Sequence, residues 1–315
     1  MPGPVLIVAA EAREVAAHLG PRLPGERLIA LASAEGLDEA LAAAPDAAFM
    51  IRSDGIAPDA CRRVLDHPSI RWVQVGGSGY EWLGGWDRAR LAVTNAAGVL
   101  APHLAETTIG AMTALNFGLP RYRDDQQARR WRPGTFRPLA GQRLLVVGAG
   151  AIGREVAVRA AALGMEVAGV NRSGRPAGPI AAMHGLADLD AALSWADVVS
   201  CHLRLTPETE GLFDARRLGL MRRGALFLNS ARGGCVVESA LLSALASGHL
   251  GGAWCDVFAE EPLPPASPLW HLPNLLITPH CADQIDGWAL RFADFFAANL
   301  ARFRAGEPLV NVVAR

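Results

Sequence analysis

The stretch Leu144-Leu-Val-Val-Gly148-Ala-Gly150-Ala-Ile-Gly153-Arg-Glu-Val-Ala-Val-Arg-Ala-Ala-Ala-Leu163 decides the fold. Leu144–Val147 reads as a buried strand and Ile152–Leu163 as a helix, with three glycines at G-x-G-x-x-G spacing across the turn and the start of the helix. That spacing is a weak signal alone; a strand before it and a helix after it give each glycine a task. Gly148 permits the tight turn, Gly150 lets a pyrophosphate approach the backbone, and Gly153 lets helix and strand pack closely. The helix N-terminus then faces the phosphates. Gly148, Ala149, Gly150, Ala151, Ile152 and Gly153 therefore form the expected dinucleotide cradle.

About twenty residues further on, an NAD site carries an acid that accepts from the ribose hydroxyls. Here the sequence is Val170-Asn171-Arg172-Ser173-Gly174-Arg175, without a carboxylate. Two guanidiniums and a hydroxyl can instead hold a 2′-phosphate through charge-assisted bonds. Asn171, Arg172, Ser173 and Arg175 thus point to NADP as the preferred cofactor, with NAD possible.

Outward from this motif, short apolar runs alternate with amphipathic stretches, the pattern of an α/β protein with parallel sheets. At about 150 residues per domain, 315 residues suggest two domains. Strands are expected at Val5–Ala9, Leu28–Ala32, Ala48–Ile51, Trp72–Val75 and Ala92–Asn95. A second series comprises Leu144–Val147, Val167–Val170, Val198–His202, Leu226–Asn229, Ala253–Val257 and Leu275–Thr278. A long helix is expected from His103 to about Phe117, ended or kinked by Pro120. A closing helix from about Asp286 to Arg304 precedes a strand-like Leu309–Val313.

Composition removes several function classes. Thirty basic residues against 31 acidic ones argue against a dedicated nucleic-acid binder or a polybasic membrane surface. All thirty are Arg, so a pyridoxal Schiff base, a Walker-A lysine and a lysine general base are excluded. Five scattered cysteines without a CxxC pair argue against a disulfide framework or a zinc knuckle and favour a reduced, cytoplasmic setting. No uncharged apolar run reaches bilayer length, and Met1-Pro-Gly-Pro lacks the basic region of a signal peptide.

The whole chain resembles the D-isomer-specific 2-hydroxyacid dehydrogenases. The resemblance rests on Asn95-Ala-Ala-Gly-Val-Leu-Ala-Pro-His-Leu-Ala-Glu106, the glycine motif, Leu205-Thr-Pro-Glu-Thr209 and Asn229-Ser-Ala-Arg-Gly-Gly234. It continues through Asp256-Val-Phe-Ala-Glu-Glu-Pro-Leu-Pro264, Ser267-Pro-Leu-Trp270 and Thr278-Pro-His280. It implies two doubly wound parallel-sheet domains. A Rossmann nucleotide-binding domain, 101–283, is inserted into a flavodoxin-like substrate domain made of 1–100 and 284–315. A homodimer is the expected assembly.

Reducing a 2-oxo acid needs a carboxylate anchor, a carbonyl polariser and a proton donor besides the hydride. The resemblance assigns Arg232 to the oxo-acid oxygens, which its planar fork suits. It makes His280 the general acid/base and Glu261 the carboxylate that orients the ring and stabilises its charged form. It places Asp256 at the nicotinamide carboxamide, Thr108 against the cofactor, and the N–H groups of Ser78 and Gly79 on the substrate carboxylate. Arg52 is either a further substrate contact or a strand-end surface arginine. A Cys281–His280 dyad is not expected, because neighbours on a strand face opposite ways. Gly76-Gly-Ser78-Gly-Tyr80 lacks the last glycine of a nucleophile elbow.

Two departures from the family pattern are Asp283-Gln284 after His280, where small residues are common, and Arg204, where Pro is common. The expected function is NADPH-linked reduction of a small 2-oxo acid to the D-2-hydroxy acid, with glyoxylate or hydroxypyruvate favoured. Asn171-Arg172-Ser173 most resembles the glyoxylate/hydroxypyruvate reductase branch. The alternative is a nucleotide-sensing binding protein, like the family's corepressors.

Overall fold

A computed structural model describes residues 2–52 and 58–313. The chain divides into two compact units, residues 1–100 with 285–315 and residues 101–284.

The first unit runs β1 (Val5–Val8), α1 (Ala12–Leu19), β2 (Leu28–Leu31), α2 (Leu37–Ala42), β3 (Ala47–Ile51), α3 (Pro58–Asp66), β4 (Trp72–Gly76) and β5 (Ala92–Asn95). Its sheet is parallel throughout in the order β2-β1-β3-β4-β5, the flavodoxin-like winding. β1 and β3 are buried at every position, as parallel strands covered on both faces must be.

The closing helix, Trp288–Ala305, packs on this sheet. Phe296 stacks on Trp72 at 5.0 Å and on Phe49 at 5.1 Å. Asn299 Nδ2 donates to Gln74 Oε1 at 3.0 Å, and Arg304 bridges Glu26 and Asp46. The C-terminal segment is thereby fastened to the N-terminal one. Phe296 is fully buried, so Phe296→Ala is expected to cost about 4 kcal/mol through the void left between two aromatic rings. Urea unfolding checks this as a lowered midpoint at unchanged slope.

The second unit contains α4 (Ala101–Phe117), α5 (Leu119–Gln127), β6 (Arg143–Val147), α6 (Ala151–Ala162), β7 (Glu166–Asn171), β8 (Ala182–Gly185), α7 (Leu189–Trp195), β9 (Val198–Cys201), α8 (Ala215–Leu220), β10 (Leu226–Asn229), α9 (Glu238–Ala246), β11 (Gly252–Cys255) and β12 (Leu275–Ile277). The sheet order is β12-β11-β10-β9-β6-β7-β8, all parallel. It is doubly wound, and the direction of winding reverses between β6 and β9, where such sheets open a crevice for a ligand.

Three expectations change. β8 was not expected: Ala182-Met-His-Gly carries no apolar run, and the strand exists through its pairing with β7. The long helix stops at Gly118 (φ 80°), while Pro120 lies in the first turn of α5, where its missing N–H costs nothing. Leu309–Val313 forms no strand but one antiparallel bridge, Thr94 to Val312.

Candidate active site

The strand register aligns Val170, Val147, Cys201, Asn229, Cys255 and Ile277 along the C-terminal edge of the larger sheet. The glycine turn, Arg232, Asp256 and His280 all follow these strand ends. From β6 to β11 is three strand spacings, about 14 Å, a span suited to an extended dinucleotide.

Gly148 adopts φ 101°. A Cβ there would stand 2.5 Å from the His202 carbonyl oxygen, and one on Gly153 would stand 2.3 Å from the Gly148 oxygen. A Cβ on Gly150 would meet nothing within 4 Å, so the approach to the backbone there is open. No side chain caps α6, leaving its first N–H groups, from Ala151, Ile152 and Gly153, without intrahelical acceptors. Ala149 is buried beneath the turn. These residues fit a dinucleotide pyrophosphate.

Asn171 ends β7 and organises the loop that follows. Its Oδ1 accepts from the Ser173 and Gly174 N–H groups at 3.0 and 2.7 Å, and its Nδ2 donates to the Arg175 carbonyl at 2.8 Å. Asn171 is therefore a positioning residue, with its polar atoms spent inside the loop. Arg172 is 83% exposed and lies 3.8 Å from Glu208. Arg175 and Ser173 are exposed beside it.

His280 lies beyond β12 in a left-handed conformation (φ 50°), uncommon for a residue with a Cβ. Its N–H donates to the Asp256 carbonyl at 2.8 Å. Nδ1 pairs with Glu261 Oε2 at 2.7 Å, and Glu261 Oε1 accepts from the Phe258 N–H at 2.9 Å. Both carboxylate oxygens are thus held, the ring is oriented, and Nε2 is left to exchange a proton. Because His280 is outside the strand, alternation of faces does not separate it from Cys281. What keeps Cys281 a thiol is burial first, then the Asp256 and Asp283 carboxylates, which push its pKa up.

Asp256 is buried, and its carboxylate accepts from the Thr278 hydroxyl and from the Cys281 and Ala282 N–H groups at 3.0 and 3.1 Å. It anchors the segment that carries His280. Arg232 turns its Nη1 to the Ala231 carbonyl at 2.7 Å, while Asn229 holds its turn by donating to the Arg232 carbonyl. Thr108 is fully buried with its hydroxyl on the Leu104 carbonyl, inside the unit rather than on a surface a cofactor could reach.

Ser78, Gly79 and Arg52 belong to the first unit. The Ser78 carbonyl accepts from Asn95 Nδ2 at 2.8 Å, and the Ser78 and Gly79 N–H groups have no acceptor among the described residues. Arg52 is exposed past the end of β3.

Two contributors escaped the sequence reading. A Cβ on Gly233 would overlap the Phe258 backbone at 1.9 Å, so only glycine lets the turn after Arg232 reach the Phe258–Ala259 peptide, next to the N–H that holds Glu261. Glu238 Oε1 accepts from the Ala259 N–H at 2.7 Å and fixes the same loop. The doubled glycine after Arg232 was the available signal.

His202 abuts the glycine turn. Its Nε2 is 2.8 Å from Ser200 Oγ, its Nδ1 is buried without a partner among the described residues, and burial pushes its pKa down to about 4. Between pH 6.5 and 4 the unfolded chain takes up a proton that the folded ring refuses. Stability should therefore fall by about 3 kcal/mol across that window. His202→Gln should remove this share of the acid sensitivity, read from urea unfolding at pH 7 and pH 4.5.

Residues 109–282 match the family model "D-isomer specific 2-hydroxyacid dehydrogenase, NAD binding domain". The chain belongs to the D-isomer specific 2-hydroxyacid dehydrogenase family. It is 33% identical to a glycerate dehydrogenase of Methylorubrum extorquens over 76% of this chain and 78% of that protein. It is also 33% identical to a D-3-phosphoglycerate dehydrogenase of Mycobacterium tuberculosis, over 77% of this chain but only 46% of that protein's length. An NADPH-dependent glyoxylate/hydroxypyruvate reductase of Sinorhizobium meliloti, solved with NADP and sulfate, superposes with a TM-score of 0.84 at 29% identity, covering 99% of this chain and 98% of that one. Members of the D-2-hydroxyacid dehydrogenase family are oxidoreductases acting on CH–OH donors with NAD(P). Among the described residues no helix is long and apolar enough to cross a membrane.

Proposed function

We propose that this dehydrogenase reduces a small 2-oxo acid, glyoxylate or hydroxypyruvate, to the D-2-hydroxy acid, with NADPH preferred over NADH. The observation that carries the reading is the Glu261–His280 pair at 2.7 Å on the same sheet edge as the open glycine turn. The glyoxylate/hydroxypyruvate reductase and glycerate dehydrogenase among its relatives support the substrate class.

When bound, the nicotinamide supplies the hydride. Gly148–Gly153 hold the pyrophosphate, Arg172, Ser173 and Arg175 the 2′-phosphate, and Asp256 the carboxamide. The Ser78 and Gly79 N–H groups receive the substrate carboxylate, and Arg232 polarises the carbonyl. His280 Nε2 gives its proton to the developing alkoxide, while Glu261 steadies the imidazolium. Arg52 serves as an outer substrate contact.

Initial rates with NADPH and NADH against glyoxylate, hydroxypyruvate, pyruvate and a phenyl-substituted 2-oxo acid test the reading. NADPH binding with no turnover of any of these would favour the nucleotide-sensing alternative. We place the protein in the cytoplasm, on the strength of cysteines that are all free thiols.

The working assembly is a homodimer. Trp131 is 96% exposed, and Phe117, Leu119 and Phe136 in the same stretch of chain are exposed as well, apolar surface that a second copy would cover. Sedimentation is expected to show a dimer that Trp131→Ala with Phe136→Ser weakens.

A further inference from the structure

The segment from His280 to Gln284 is pinned over Asp256. The His280 N–H donates to the Asp256 carbonyl, the Cys281 and Ala282 N–H groups to its carboxylate, and the Gln284 N–H closes a turn on the Cys281 carbonyl at 3.0 Å. Thr107 Oγ1 adds a bond to the Ala282 carbonyl at 3.1 Å. Asp283 occupies the centre of that turn, half-buried, three residues after the proton-carrying ring. Its carboxylate feels the charges of His280, Arg232 and Asp256, and burial pushes its pKa up.

The other acids nearby have their donors. Glu261 is held by His280 and the Phe258 N–H, Asp256 by Thr278, Cys281 and Ala282, and Glu238 by the Ala259 N–H. Asp283 has no partner among the described side chains, only a bond from its own backbone. A half-desolvated carboxylate is costly without a donor, and it stands where the group meant to attract an anion, Arg232, also acts.

We propose that Asp283 is a specificity-determining residue that faces the C3 end of the substrate. There it accepts a hydrogen bond from a neutral donor such as a 3-hydroxyl and turns away any substrate with a second negative charge, a 3-phosphate or 3-carboxylate. The inference rests on the reading of Arg232 and His280 as the reacting site. A like charge about 6 Å away at an effective dielectric near 20 disfavours the dianion by about 100-fold. Loss of one hydrogen bond to a carboxylate weakens the hydroxylated substrate by about 10-fold.

The test compares kcat/KM with NADPH for glyoxylate, hydroxypyruvate and 3-phosphohydroxypyruvate in the wild type, Asp283→Asn and Asp283→Ala. The wild type should use hydroxypyruvate at least about 100-fold better than its 3-phosphate. Asp283→Asn should raise use of the 3-phosphate at least about 10-fold, leaving glyoxylate within about threefold. Asp283→Ala should lower use of hydroxypyruvate relative to glyoxylate. Equal wild-type use of hydroxypyruvate and its 3-phosphate, which needs no variant, overturns the proposal. So does an unchanged ratio in both variants while glyoxylate is still reduced; the site reading then stands. No wild-type turnover of any of the three overturns both.

Discussion

Replacing His280 with Asn is expected to lower turnover by about 10²–10⁴-fold, the usual weight of a positioned acid. Asn is the better replacement here because it tolerates the left-handed backbone at φ 50°. A loss of activity can then be assigned to the missing proton donor rather than to a distorted turn. NADPH should still bind, because the glycine turn and the 171–175 loop follow other strands; quenching of tryptophan fluorescence reads this separately from rate. The companion variant is Glu261→Gln. It keeps the shape but removes the charge that holds and steadies the ring at 2.7 Å, so kcat should fall by at least about 10-fold. Near-normal turnover in His280→Asn would mean that the proton comes from another group, and near-normal turnover in Glu261→Gln that the two side chains do not act as a pair.

The Arg172→Ala, Arg175→Ala double variant is expected to lose about 100-fold in kcat/KM for NADPH and to stay within about threefold for NADH, because only NADPH brings a 2′-phosphate to these guanidiniums. Equal losses with both cofactors would refute the assignment. Glu208 supplies a control of opposite sign. A hydrogen bond from Thr206 holds its carboxyl below the usual carboxylate range, with Arg172 adding to the effect. It is therefore ionised at neutral pH and competes for Arg172. Glu208→Gln should improve NADPH use a few-fold.

Local chemistry made part of the molecule readable from sequence. The glycine turn is legible because so few residues fit a backbone at φ 101° against the His202 carbonyl. Fully buried strands such as Val5–Val8 announce themselves as apolar runs. His280, Glu261 and Arg232 stand out through the motifs around them. Features created by distant contacts were not legible. β8 is a strand only because β7 lies beside it. Thr108 reads as an available hydroxyl until its helix buries it. The overlap of Gly233 with Phe258 joins residues 25 apart in sequence, and neither shows a mark of it. His280 reads as a strand end, although the Asp256 anchor draws it into a left-handed turn.

The loop that Asn171 ties together has a bearing on redesign. Because its backbone is braced by bonds among Asn171, Ser173, Gly174 and Arg175, the arginines proposed to hold the 2′-phosphate stand on a braced frame. Less flexibility is lost on binding than with arginines on a slack loop. On the proposed reading, cofactor preference is a property of the cassette 171–175 rather than of two side chains. Moved whole onto the second strand of a related enzyme, the cassette should carry its preference along; its arginines grafted alone, without the asparagine beneath them, should not.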